Sequence, residues 1–79
     1  MRAERLVSMA NDIGHFFNAE ADKNEAAKSV ANHIKRFWDP RMRREIIAHY
    51  KEAGGAGLDP VARSAVALLS DVRLKPDAT

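Results

Sequence analysis

Three histidines, eleven carboxylates and a knot of arginines are the side chains in this 79-residue chain that could do chemistry. The carboxylates show no spacing that would bury two of them as an acid–base pair. There is no HExxH, no GxSxG and no cysteine, so neither a zinc-protease helix, a nucleophile elbow nor a thiolate is on offer. Gly54-Gly55-Ala56-Gly57 follows one helical pattern and precedes a cap, so it reads as a helix stop and linker. A phosphate cradle would need a preceding strand and a Lys-Ser/Thr at the next helix start. His15 falls opposite its helix's apolar stripe and is expected in solvent. His33 and His49 fall about 55° from the centres of theirs, at the core edge, where packed and hydrogen-bonded imidazoles are the usual outcome. With His15 in solvent, His33 and His49 lack the third ligand and ordered second shell that zinc normally needs. The sequence therefore predicts no catalytic residues, no metal ligands and no cofactor-binding residues in this chain.

The arginines are another matter. Residues 33–44 read HIKRFWDPRMRR, where Lys35, Arg36, Arg41, Arg43 and Arg44 stand against Asp39 alone, a local charge of +4 in a chain of net +2. Arg41, Arg43 and Arg44 follow Asp39-Pro40, a helix start, where the positive end of the macrodipole disfavours cations by a few tenths of a kcal/mol or more each. Residues that break a local rule tend to serve function, and arginine beside a large aromatic is the composition of interface centres. Trp38, Arg41, Met42, Arg43 and Arg44 are therefore the candidate partner-binding residues, with Phe17 and Ile47, the second members of two apolar doublets, as further apolar contacts. The competing reading is a solvated basic face, or phosphate binding by a small basic helical nucleic-acid-binding protein. Nucleic acid is disfavoured because the cations form one knot and do not line a recognition helix.

The elements that must carry this knot are all helical, since no segment alternates with the period of two that a half-buried strand requires. Leu6, Met9, Ala10, Ile13, Phe16 and Phe17 form one stripe over residues 3–18. Asp22 caps a second helix, with Glu25 placed to complete a capping box, and Ala26, Val30, Ile34 and Phe37 form its stripe. Trp38 points about 100° away, on the flank of Ala27 and Ala31. Asp39 caps a third helix with proline at its first position and a stripe of Met42, Ile46, Tyr50 and Ala53. Asp59-Pro60 opens a fourth, with Val61, Ala65, Leu68, Leu69 and Val72. The predicted core is Leu6, Met9, Ile13, Phe16, Val30, Ile34, Phe37, Ile46, Tyr50, Leu68 and Leu69. The predicted fold is all-α, a small antiparallel bundle of three to four helices spanning residues 1–72, with a frayed tail over 73–79. MRAERLVS holds no uncharged run of signal-peptide or membrane-span length, and a cytoplasmic protein is expected.

RLVSMANDIGHFF and VANHIKRFWDPRMRREIIAH together resemble the delta subunit of soluble, NAD-dependent, molybdenum-containing formate dehydrogenases, over roughly residues 4–70. The most specific stretches are His33–Arg43 (HIKRFWDPRMR) and Met9–Phe17 (MANDIGHFF); Asp12 stands where glutamine is more usual in that family. The resemblance implies a non-catalytic accessory subunit that binds the large molybdenum subunit and supports its assembly, cofactor loading or stability. It places molybdenum bis-molybdopterin guanine dinucleotide, iron–sulfur clusters, FMN and NAD in the partner subunits. A chain without cysteine is no holder of such clusters. Self-association of the isolated chain is a further expectation.

Overall fold

Four helices make up most of the computed structural model, which describes residues 2–74: α1 (Ala3–Phe16), α2 (Lys23–Phe37), α3 (Pro40–Ala53) and α4 (Pro60–Leu74). No strand occurs among the described residues, so the chain is all-α with four helices. Helix α4 continues through Leu74, past the expected boundary at residue 72; the remainder of the expected tail, 75–79, lies outside the described residues, as does the side chain of Val72.

The core is built around α4, which packs against each of the other three helices and most extensively against α2. Small side chains let it come close. Ala62, Ala65 and Val66 of α4 are fully buried, as are Leu6 and Ala10 of α1, Ala26, Val30 and Ile34 of α2, and Ile46 of α3. Gly14 is buried on α1 opposite Ala62, and a Cβ placed there would lie 3.6 Å from the Ala62 Cβ, at ordinary contact distance. Met9, Ile13, Tyr50 and Leu68 pack against this centre partly buried, and Leu69 is buried within it.

Two expected core residues lie outside it, for different reasons. On α1 the buried positions are Leu6, Ala10 and Gly14, which centres the inward face about 120° from Phe16 at 100° per residue. Phe16 is 79% exposed, while Phe17 turns in against the core and meets the Phe16 ring edge-on at 5.0 Å. On α2 Phe37 shares its angular position with the buried Ala26 and Val30, but it is the last residue of the helix and is 69% exposed. Trp38, expected on an outer flank, is only 5% exposed and belongs to the core. Ile47, expected at a partner surface, is likewise buried.

The segment between α3 and α4 is far more than a linker. Gly54 closes α3 in the left-handed region (φ 67°), and Gly55 follows at φ 76°, where a Cβ would come within 3.2 Å of both Leu58 and Tyr50. Leu58 plugs into the core, 3% exposed. The Asn11 side chain clasps this segment to α1: its amide N–H donates to the Gly57 carbonyl (2.9 Å), and its amide oxygen accepts from the Asp59 N–H (2.8 Å). His49 Nε2 lies 2.8 Å from the Ala56 carbonyl, and because a carbonyl only accepts, that nitrogen carries the hydrogen.

Trp38→Ala is expected to destabilise the isolated chain by about 3–5 kcal/mol, the cost of emptying a core aromatic site. Urea unfolding followed by helical circular dichroism measures it.

Candidate docking corner between α2 and α3

Only Trp38 and Asp39 separate α2 from α3, and the bonds at this junction end one helix and start the next. Trp38 leaves the helix with extended backbone (φ −88°, ψ 142°) while its N–H still donates to Ile34 (2.9 Å). Asp39 is extended too, as a residue before proline must be, and its carboxylate accepts from the Met42 N–H at 2.9 Å. Pro40 takes the first helical position, where its missing N–H leaves nothing unpaired. Asp22 caps α2 in the same manner, accepting from Asn24 (2.9 Å) and Glu25 (3.4 Å). Glu25 itself turns to Lys28 at 3.4 Å.

The knot of arginines divides into two kinds. Arg43 folds back over the end of α2, donating to the carbonyls of Trp38 (2.5 Å) and Lys35 (3.3 Å). These carbonyls belong to the last turn of α2, which has no further helical N–H to satisfy them and carries the negative end of the dipole. Arg43 is thus a cap for α2 supplied by α3. Its presence at an otherwise unfavourable helix start follows from that contact. Arg41 and Arg44 are exposed and, like Lys35 and Arg36, have no carboxylate partner among the described residues. No acidic residue occupies the first turn of α3. Phe37 ends α2, with the His33 ring 4.7 Å away, one turn back, and the Arg36 guanidinium 6.0 Å from its centroid.

Of the residues expected to meet a partner, then, Arg41 and Arg44 are on the surface, Met42 and Arg43 are half-buried, and Trp38 is inside. Phe37 and Arg36 join the surface although the sequence reading assigned Phe37 to the core.

At the far end of the molecule, His15 Nε2 and Asp59 Oδ2 lie 2.6 Å apart. Asp59 therefore holds the residue position before α4 but gives its carboxylate to His15, correcting the expectation of a side-chain cap there; its backbone carbonyl still accepts from Arg63 at 2.7 Å. His15, expected free in solvent, is paired though well exposed. The two line an open cleft of about 400 Å³ with Asn18, Lys23 and Ser64. Ser64 makes no hydrogen bond to His15 among the described residues, so no relayed nucleophile is assembled. Nor is a group of three or more His, Asp or Glu gathered to hold a metal ion among the described residues.

A family model for the NADH-dependent formate dehydrogenase delta subunit FdsD matches residues 5–66. The chain belongs to this family. Comparison with curated proteins and with solved structures gave no match. The matched span of this formate dehydrogenase delta-subunit chain takes in the Asn11 clasp, all of α2 and α3 and the first half of α4, so the docking corner lies wholly inside it. Among the described residues, no helix of the delta-subunit chain is long and apolar enough to cross a membrane.

Asp39→Ala is expected to cost about 0.5–2 kcal/mol of stability, with Asp39→Ser recovering most of it, because the lost contact is a helix cap. Thermal melts of the three proteins test this. Arg43→Ala is expected to cost about 1.5–3 kcal/mol, the range for a hydrogen bond from a charged donor. Its deficit should appear in chemical unfolding of the isolated chain, with no partner present.

Proposed function

We propose that this chain is a non-catalytic subunit of a cytoplasmic NAD-dependent formate dehydrogenase, binding the large molybdenum subunit and supporting its assembly, cofactor loading or stability. The observation that carries this reading is the family match over residues 5–66, which runs through all four helices and leaves no other domain in the described structure. The chemistry of the chain agrees. With no cysteine it has no thiolate for an iron–sulfur cluster, and its internal polar contacts are helix caps and loop clasps. Molybdenum bis-molybdopterin guanine dinucleotide, iron–sulfur clusters, FMN and NAD belong, on this reading, to the partner subunits. Formate oxidation and NAD reduction take place there. What this chain offers a partner is a rigid small surface carrying unpaired positive charge.

Affinity-tagged chain, recovered from its native cell and analysed by mass spectrometry, is expected to retain the large formate dehydrogenase subunit. Cells lacking the chain are expected to contain less assembled enzyme or enzyme with a lower molybdenum content. Retention of nucleic acid alone, or of no formate dehydrogenase subunit, would overturn the proposal.

A further inference from the structure

A single exposed ring is ordinary on a soluble domain, but Phe37, 69% exposed, differs from the likewise exposed Phe16 in the chemistry around it. Its surroundings say what kind of surface would cover it. Chain geometry keeps the nearest cations close: four residues separate Phe37 from Arg41, a Cα distance of at most about 14 Å, and Arg44 lies three helical rises further, about 4.5 Å along α3. Arg36 adjoins the ring directly. None of the three arginines has a carboxylate partner among the described residues, and the two on α3 stand near the positive end of its dipole. Isolated, this corner is electrostatically unsatisfied. A surface of opposite charge would satisfy it.

We propose that Phe37, with Arg36 against its ring and Arg41 and Arg44 following at the start of α3, is the anchor by which this chain docks, entering an apolar pocket rimmed by carboxylates on the partner subunit. The inference rests on the reading of the chain as a formate dehydrogenase subunit and adds to it the contact and its chemistry. The ring is already steadied by His33 and Arg36, so it gives up little rotational freedom on burial, as an effective anchor should. The guanidinium groups present planar, bidentate donors suited to carboxylates. A polyanion draped across the molecule fits less well. Residues 12–25 carry Asp12, Glu20, Asp22 and Glu25 against Lys23, so its path away from the corner would meet net negative charge. A second copy of the chain could offer that acidic segment to the corner, as a closed dimer or ring or as an open chain, and is an outcome that the oligomeric state distinguishes.

The test compares four full-length tagged chains in the native cell: wild type, Phe37→Ala, Arg41→Glu/Arg44→Glu, and Phe16→Ala. Phe16 is the control, an exposed ring beside the α1–α2 turn, from which Phe37 is separated by the length of α2, about 21 Å. Thermal melts of the isolated proteins should show Phe37→Ala unfolding at the wild-type temperature. Capture of the large subunit should fall at least tenfold for Phe37→Ala and for the double charge reversal, and should be unchanged for Phe16→Ala. If wild type captures no formate dehydrogenase subunit, the functional reading itself fails. If wild type captures it and the corner variants do so equally well, the partner stands and the anchor is wrong. Loss on Phe16→Ala alone would move the contact to the other end. Light scattering that finds wild type associated and Phe37→Ala monomeric would make the occupant a second copy, and nuclease-sensitive capture would make it nucleic acid; either overturns the proposal.

Discussion

How near α4 can come to its neighbours governs the rest of this structure. A 79-residue chain buries a limited share of its surface, and a thin core tolerates few gaps. The close approach is made at small residues: Gly14 and Ala10 on α1, Ala26, Ala27 and Ala31 on α2, Ala62 and Ala65 on α4. With the backbones close, a handful of branched and aromatic side chains fills what is left. The rotation of α1 and α2 about their own axes then follows from where the small residues sit. On α1 that rotation decides which aromatic is inside; at the end of α2 the chain's departure into extended backbone at Trp38 does so. Phe17 and Trp38 go in and Phe16 and Phe37 come out, although neighbours in each doublet are equally apolar.

The corner between α2 and α3 shows how little chain is needed to end one helix and start the next when the termini cap each other. Asp39 satisfies the start of one helix and Arg43 the end of the other, while Trp38 fastens the turn from beneath. Folding back one arginine also sorts the charges. Arg43 is consumed internally, which leaves Arg36, Arg41 and Arg44 as the arginines of this corner without a carboxylate partner among the described residues. The division of labour within four residues explains why their sequence looks unfavourable for a helix start when read as helix alone.

The four helices, their starts and their stops were legible because they rest on local chemistry: aspartate before proline, glycine after the last turn, a 3.6-residue apolar period. The caps at Asp22 and Asp39 are of this kind. Asp59 looked identical to Asp39, yet its carboxylate is taken by a histidine 44 positions earlier, a partner that no local pattern reveals. The glycine-rich segment looked like a linker for the same reason, since Asn11 and His49 are remote in sequence. The error over Phe16 has another origin. Weighing stripes by large side chains places the centre of a helix face where volume is greatest, whereas helices touch where volume is least. The arginines were correctly singled out as anomalous, but position alone could not separate the one that caps from those that remain unpaired.

The Asn11 clasp has a consequence for the history of each molecule. It joins the first helix to a segment 46 to 48 residues later, and α4, which follows that segment, covers the other three helices. During synthesis, where chains generally emerge and fold from the N-terminus, α1, α2 and α3 leave the ribosome before the helix that buries Leu6, Ile34 and Ile46. A newborn chain therefore holds its apolar faces open until α4 has emerged, and packing of the core waits for that helix. Loop closure over such a span slows that event, so the interval before α4 docks is when the protein is most in need of protection.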